Sequence, residues 1–119
     1  MNVRKAVAAG LAVVLLTGLA ACIYIANLRP VASFTVDPAS GISPLDVLFD
    51  ASASNDADGT IETYLWSFGD GQTASRTVPT ISHTYIVQSF SRVFTSTLTV
   101  VDDLGGEDTA VKDITVDPI

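Results

Sequence analysis

The feature of this chain that most restricts its fold is a run of alternating aromatic residues, Tyr64, Trp66 and Phe68, that leads directly into Gly69-Asp70-Gly71. Side chains two positions apart lie on the same face of a β-strand, so the three aromatic side chains are predicted to enter one core. Each buries roughly 150–250 Å² when packed. Glycine adopts backbone angles closed to other residues, which predicts a sharp reversal of the chain immediately after the strand.

Strand patterns continue on both sides of this run. Leu45–Asp50 alternates apolar and polar residues, and Val93–Val101 is the longest strand pattern, with threonines on its open face. Two segments are predicted to be loops, namely 51–60, which is rich in Ser, Asn, Asp and Gly, and 41–44. The sequence after the N-terminal region shows no helical periodicity. It therefore predicts an all-β sandwich of about seven strands.

The N-terminal region has a different composition. A basic pair, Arg4-Lys5, precedes a segment without charged residues over 6–26. A basic start, an apolar run and then small residues form the layout of a secretory signal, so a hydrophobic signal or anchor helix is predicted over residues 1–21. A short linker over 22–30 would then lead into a single domain over 31–119.

The end of the apolar segment, Leu19-Ala20-Ala21-Cys22, resembles the lipobox of bacterial lipoproteins. The resemblance implies cleavage before Cys22 and a diacylglycerol group on its sulfur. The alternative is an uncleaved transmembrane helix, because the uncharged residues would span about 30 Å at roughly 1.5 Å per residue. In both cases the domain is predicted to lie outside the cytoplasm, in the periplasm or at the cell surface, attached to the membrane through the lipid or the helix.

The charge balance restricts the partners of this domain. The chain has 13 acidic and 6 basic residues, which gives a formal net charge of −7. An acidic surface argues against nucleic acid as a partner. Cys22 is the only cysteine of the chain, so no disulfide forms within it and hydrophobic packing alone is expected to hold the domain together.

The order of these residues resembles that of the PKD (polycystic kidney disease) domain family from Pro30 to the C-terminus. The resemblance implies an immunoglobulin-like β-sandwich without catalytic activity, of the kind that serves extracellular binding, adhesion or spacing. The residues that carry it are Pro30, Phe34, Pro44, Leu45, Val47, Phe49, Asp50, Ala51, Ser52, Ser54, Asp56, Asp58, Gly59, Ile61, Tyr64, Trp66, Phe68, Gly69, Asp70, Gly71, His83, Thr84, Tyr85, Leu98, Thr99, Val100 and Asp102.

Two segments depart from the pattern of the family. Members often carry Asp where this chain has Ser67, and they commonly have a short turn with Gly where this chain has the longer, glycine-free segment 86–93. Phe90 and Arg92 lie in that segment and are predicted to be exposed. They are our candidates for contact with a ligand, and the alternative is that Phe90 folds back over the edge of the sandwich.

Catalysis is not predicted for this chain. A nucleophilic triad needs a histidine beside a serine or cysteine, and the only histidine is His83. The resemblance implies that His83 fixes the end of a strand. The pair Asp102-Asp103 would supply two carboxylates for acid–base chemistry, but adjacent acidic residues in a hairpin are more often solvated turn formers.

The sequence does not predict that the domain requires a cofactor. The one candidate cofactor that it favours is a calcium ion. Asn55, Asp56 and Asp58 cluster in the loop before Gly59. Calcium binds six to eight oxygen ligands supplied by flexible loops of this kind. The resemblance points the same way, because some PKD domains of secreted proteases bind calcium near this loop. The alternative is that these residues only form turns by hydrogen bonding to their own backbone.

These observations lead to one functional hypothesis and one alternative. The first is a non-enzymatic lipoprotein, anchored in the membrane, whose PKD-type domain mediates binding or adhesion to an envelope or extracellular protein or glycan. The alternative is a structural spacer or subunit of a cell-surface assembly. The two differ in a simple observation, because a subunit should form an oligomer without any added ligand.

Overall fold

The computed structural model describes residues 12–16 and 22–119, with side chains from Ala26 onward. Strands are the only regular elements longer than a turn in these residues. In chain order they are β1 (Ala12–Leu16), β2 (Cys22–Ala26), β3 (Thr35–Asp37), β4 (Ser40–Ile42), β5 (Leu45–Asp50), β6 (Ile61–Ser67), β7 (Thr73–Arg76), β8 (Thr80–Tyr85), β9 (Arg92–Asp102) and β10 (Glu107–Asp117).

Eight of these strands form a sandwich of two sheets. The larger sheet has five strands in the order β4-β10-β9-β6-β7, and the smaller has three in the order β3-β5-β8. All neighbours are antiparallel except β4, which pairs in parallel with the end of β10. This confirms the predicted all-β sandwich.

The core between the sheets is built around aromatic side chains. Trp66 on β6 is 2% exposed, and its ring packs edge-on against Phe34 at 5.3 Å and Phe49 at 5.5 Å between centroids. The alternation that predicted a common core face for β6 holds, since Tyr64 and Phe68 are buried as well. The remaining large members of the core are Leu45, Val47, Tyr85, Val87, Phe94, Leu98, Val100, Ile114 and Val116.

The turn after β6 follows from its first glycine. Gly69 has a φ of +84°, in the left-handed region that favours glycine. A Cβ at this position would lie 2.5 Å from the carbonyl oxygen of Thr95, so any side chain there would clash with the backbone of β9. The reversal predicted from the sequence is therefore required by the packing of β6 against β9.

The predicted count of about seven strands was one too low. The missing strand is β4, which lies in the segment Gly41–Pro44 and just before it, where a loop was predicted. Glycine is depleted in strands, and three residues are too few to show an alternating pattern. The segment becomes a strand because its backbone pairs with Thr115–Asp117, far along the chain.

The N-terminal helix predicted over residues 1–21 is not found where the structure describes that segment. Ala12–Leu16 forms strand β1, which pairs antiparallel with β2, and β2 occupies most of the predicted linker. Val, Ile and Tyr favour extended strands, and the two segments are rich in them. The rest of the predicted signal segment, 1–11 and 17–21, lies outside the described residues. Within the described part of the chain, no helix has the length and apolarity to cross a membrane.

Candidate functional site

Three carboxylates, two from one loop and one from the end of a strand, converge at one end of the sandwich. Asp56 and Asp58 lie in the loop after β5, and Asp102 is the last residue of β9. One oxygen of each lies within 4.8 Å of the others. The structure thus brings two of the predicted calcium ligands together and adds Asp102. It places Asn55 beside Val31 instead, where their backbones exchange hydrogen bonds of 2.7 and 3.0 Å.

Asp102 is the most buried member of this group, at 3% exposure. Its Oδ1 accepts hydrogen bonds from the amides of Leu104 at 2.9 Å and Gly106 at 2.7 Å, which closes the turn between β9 and β10. Its Oδ2 accepts from Asn27 Nδ2 at 2.9 Å. Burial alone would raise the pKa of Asp102, but these hydrogen bonds, with a further one from Gly105, outweigh burial and lower it. Asp102 is therefore a structural carboxylate as well as a member of the cluster.

The segment that leads into the domain lies against the same carboxylates. Besides the contact of Asn27 with Asp102, the amide of Leu28 donates to Asp58 Oδ2 at 2.8 Å. No sequence pattern predicted these contacts, and Asn27 and Leu28 lie in the segment that was expected to be a linker. We call the end of the sandwich formed by Asn27, Leu28, loop 55–59 and the β9–β10 turn the acidic pole.

Several oxygen atoms at the acidic pole are buried without a hydrogen-bond partner among the described residues. They are Asn27 Oδ1, both carboxylate oxygens of Asp56, and Asp58 Oδ1. A buried acceptor without a donor costs free energy, and buried carboxylates in mutual contact cost more. Four unpaired oxygens and no unpaired donor form the ligand chemistry of a hard cation such as Ca²⁺. The donor set therefore fits calcium, with Asn27, Asp56, Asp58 and Asp102 as the residues that would hold it.

The glycine of this loop allows the carboxylates to approach so closely. A Cβ on Gly59 would lie 2.4 Å from Asp103 Oδ1 and 3.0 Å from Asp56 Oδ2. Burial, the close contact with the carboxyl group of Asp58 and the charges of Asp58, Asp102 and Asp103 together raise the pKa of Asp56 to about 7. The carboxyl group of Asp56 is thus difficult to ionise in the folded domain unless a positive charge joins the cluster.

The opposite end of the sandwich has a different surface. Strand β9 begins there at Arg92 and ends at the acidic pole, and its eleven residues separate the two ends by roughly 35 Å at about 3.3 Å per residue. We call the end formed by residues 42–44, 69–71, 86–93 and 117–119 the apolar pole. Its large apolar side chains that remain in water are Ile42, Ile86, Phe90, Val93 and Ile119.

The two predicted contact residues both lie at the apolar pole. Phe90 is 80% exposed, which excludes the alternative that it folds over the edge of the sandwich. Arg92 is exposed, and its guanidinium carbon lies 5.1 Å from the centroid of the Phe94 ring. A guanidinium over an aromatic face is held in place while its N–H groups remain available.

His83 contributes to the architecture of the apolar pole. Its Nε2 lies 2.6 Å from Asp70 Oδ2, and its ring stacks on Phe68 at 3.9 Å between centroids. Because Asp70 belongs to the β6–β7 turn and His83 to β8, the pair ties the five-stranded sheet to the three-stranded one. Tyr85 adds a second tie, since its hydroxyl donates to the carbonyl of Phe68 at 2.7 Å.

An eight-stranded sandwich of this topology defines a β-sandwich domain of the immunoglobulin-like class. The family model of the PKD domain matches residues 27–116. The chain therefore belongs to the PKD domain family. A PKD domain is a non-catalytic domain.

Relatives of this chain include both enzymes and isolated domains. It is 40% identical over 91 residues to the pre-pro-metalloprotease PrtV of Vibrio cholerae, which covers 76% of this chain and 9% of that protein. It matches the solved PKD1 domain of Vibrio anguillarum Epp at 31% identity and a TM-score of 0.64, over 79% of this chain and 100% of that one. That structure consists of the one domain, so a domain of this family folds without neighbouring domains.

A second solved structure belongs to the carbohydrate-binding modules of the β-sandwich superfamily. The match has 35% identity and a TM-score of 0.73, and it covers 78% of this chain and 36% of the other. The present chain thus spans only a small part of the protease relative and about a third of this solved chain.

The raised pKa of Asp56 predicts a pH dependence of stability for residues 27–119 in EDTA. Because the folded-state pKa is about 7 and the unfolded value is about 3.9, the folded state binds the extra proton between these values. The contribution of Asp56 to the stability of the wild type is therefore lost as pH rises from about 4 to about 7. Asp56→Asn removes this loss and should exceed the wild type by roughly 1–2 kcal/mol at pH 7.5, after allowance for solvent screening.

The measurement is urea unfolding at a series of pH values. The control is Asp37→Asn, since Asp37 is exposed at the end of β3. Its profile should run parallel to that of the wild type. Parallel profiles for Asp56→Asn and the wild type would contradict the assignment of a penalty to Asp56.

Proposed function

We propose that this chain is a non-enzymatic, extracytoplasmic binding module attached to the membrane at its N-terminal end, which acts in adhesion or recognition through its apolar pole. One observation carries the proposal. The chain enters the domain at the acidic pole, through Asn27 and Leu28, while exposed apolar side chains gather at the opposite end. A module held at one end is free to make contacts at the other.

The attachment rests on the sequence around Cys22. The motif Leu19-Ala20-Ala21-Cys22 supports a lipid on the cysteine sulfur, and the uncleaved anchor remains the alternative. Only a few residues separate Cys22 from Asn27, which contacts Asp102 of the domain. A lipid at Cys22 would therefore hold the acidic pole next to the bilayer and direct the apolar pole away from it. This arrangement corresponds to the periplasm or the cell surface.

The partner class follows from the surface and from the relatives. An exposed apolar patch in a soluble domain marks a site of contact with another molecule. Phe90, the exposed aromatic residue at the apolar pole, suits either a protein or a sugar ring. The likeness to a carbohydrate-binding module supports a glycan, and the exposed aliphatic side chains around Phe90 support a protein.

Calcium would have a structural role at the acidic pole. The cation would compensate the carboxylates of Asp56, Asp58 and Asp102 and would accept the unpaired oxygen of Asn27 as a ligand. Since Asn27 precedes the domain, such a cation would also fix the segment between the attachment point and the sandwich. Calcium in the millimolar range outside the cell matches the affinity of extracellular modules, about 10⁻⁴–10⁻³ M.

A second function, that of a spacer or assembly subunit, is favoured by the same geometry. Asn27 and Leu28 lie at the acidic pole, and Ile119 lies at the apolar pole. A domain with this geometry would hold two partners, one bound at each pole, apart by the length of the sandwich. A spacer needs no ligand. A subunit of an assembly would sediment as an oligomer of residues 27–119 without any addition, whereas a binding module would remain a monomer.

The binding role predicts that an apolar-pole variant loses its partner. Phe90→Ser in residues 27–119 should capture less than a tenth of the partner that the wild type captures from envelope extract, because the exposed contact residue is gone. The matched control is Leu104→Ser, since Leu104 is also strongly exposed, at 69%, but lies at the acidic pole. Equal capture by the wild type and Phe90→Ser would contradict the binding role of the apolar pole and favour the alternative function of a spacer.

The calcium role predicts stabilisation by the metal. At about 10 mM CaCl₂ the melting temperature of residues 27–119 should rise by at least about 5 °C over its value in EDTA, as expected for a dissociation constant near 10⁻³ M. MgCl₂ should have a much smaller effect, because Mg²⁺ gives up its water reluctantly. Asp56→Asn should abolish the rise. An unchanged melting temperature of the wild type in CaCl₂ would show that the cluster holds no calcium.

The proposed lipid anchor predicts that palmitate labelling and processing of the chain depend on Cys22. In cells fed radiolabelled palmitate, the wild-type chain should carry label and migrate as a processed form. Cys22→Ser should carry no label and remain unprocessed, because the sulfur that accepts the lipid is absent. The control is Ser89→Cys in the Cys22→Ser background, which restores a thiol at another position and should not restore labelling. Unaltered processing of Cys22→Ser would favour the uncleaved anchor.

A further inference from the structure

Two shallow grooves adjoin each other at the apolar pole and share the side chain of Ile86. The first is mostly apolar and encloses about 330 Å³, and the second is polar and encloses about 350 Å³. The first is lined by Ser43, Pro44, Ile86, Val87, Gln88 and Ile119. The lining of the second includes Asp70, Thr84, Ile86, Arg92 and Phe94.

Arg92 is the charged group of the polar groove that still has donors to offer. Its guanidinium lies over the ring of Phe94, which is 3% exposed and therefore fixed in the core. Among residues 27–119 the one ion pair is that of His83 with Asp70, so Arg92 is paired with no carboxylate there. An aromatic platform beneath the guanidinium leaves its planar edge of N–H groups turned toward the groove.

The carboxylates of the same pole are already engaged by other groups. Asp70 accepts from the amide of Gln72 at 3.1 Å with one oxygen, and His83 lies against the other. Asp46 accepts a hydrogen bond from the hydroxyl of Thr84. Asp117 accepts from Ser91 Oγ at 2.5 Å. The nearby acidic residues therefore leave the donors of Arg92 to a group from outside the domain.

We infer that the apolar pole recognises a protein segment in which a carboxylate lies next to a branched apolar side chain. This inference rests on the proposed binding function and gives its ligand class. The carboxylate accepts hydrogen bonds from Arg92 in the polar groove, and the apolar side chain enters the groove between Pro44, Ile86 and Ile119. Since both grooves share Ile86, the carboxylate and the apolar side chain of the ligand are bound next to each other.

The chemistry of the lining favours a protein segment over a glycan. Sugar rings stack on flat aromatic faces, and Phe90 is the one exposed aromatic side chain within residues 27–119. The apolar groove is lined by aliphatic residues, which suit the irregular shape of a Leu, Ile or Val side chain. A phosphate-rich ligand is disfavoured, because Arg92 is the single arginine that lines the two grooves and the chain has a net charge of −7.

The test uses two probes that differ in one group. N-acetyl-leucine carries a carboxylate beside a branched apolar side chain, and N-acetyl-leucinamide carries a neutral amide instead. Both are titrated into ¹⁵N-labelled residues 27–119 at pH 7 and followed by amide chemical shifts. We expect the carboxylate probe to bind in the millimolar range, as its size allows, and at least about fivefold more tightly than the amide. The largest shifts should fall at Ile86 and Arg92.

Variants separate the two parts of the ligand. Arg92→Gln should reduce the preference for the carboxylate to about one, while Ile86→Ser should weaken both probes equally, because it removes the wall shared by the grooves. The matched control is Arg76→Gln, since Arg76 is an exposed arginine on β7. It should leave the preference unchanged.

Three results would overturn the inference: equal affinity of the two probes for the wild type, a preference that persists in Arg92→Gln, or shifts that map to another face. A third probe, sodium glucuronate, tests whether the apolar pole binds a glycan instead of a protein segment. If it binds more tightly than N-acetyl-leucine, the ligand class is a glycan and the inference is wrong. If no probe binds but Phe90→Ser still loses its envelope partner, the binding function stands and carboxylate recognition at Arg92 is wrong.

Discussion

The edge-on packing of Trp66 against Phe34 and Phe49 holds the two sheets together, and the position of every loop depends on it. The one cysteine lies outside the sandwich, so no disulfide shares this task. Because side chains alternate along a strand, a slip of β6 by one residue would turn its aromatic side chains to solvent. The core therefore fixes the register of β6, and with it the turn at Gly69 and the loops at both ends.

A polar constraint of comparable importance acts at the acidic pole. Asp102 organises the β9–β10 turn with one oxygen and holds Asn27 with the other. Three hydrogen-bond donors stabilise the ionised form of the buried Asp102 carboxylate. The neighbouring carboxyl group of Asp56 has no hydrogen-bond donor among the described residues. The same loop packing that satisfies Asp102 therefore leaves Asp56 in a site that favours its neutral form or a bound cation. Structure and ligand chemistry arise here from one arrangement of loops.

Local periodicity allowed most of the fold to be predicted. The alternation of β6 and that of β9 can each be recognised within a single continuous segment of the sequence. Both strands lie where they were predicted. Strand β4 was missed because it exists only through its pairing with distant β10. The N-terminal helix was wrong at Ala12–Leu16, where an apolar run that suits a helix or a strand equally well pairs with β2. The acidic site was half predicted for the same reason: Asp56 and Asp58 share a loop, while Asp102 and Asn27 reach it through the fold.

The two poles differ in how their carboxylates are compensated, and this difference limits what each can bind. At the acidic pole the carboxylates face one another, so their repulsion is relieved by protonation of Asp56 or by a cation. At the apolar pole each carboxylate has its own neutral donor or His83, and the charge that lacks a partner is positive. An acidic chain repels anionic ligands over most of its surface. A ligand carboxylate therefore gains contact only where apolar burial beside Arg92 accompanies it, which makes the combination of the two groups, and not charge alone, the basis of selectivity.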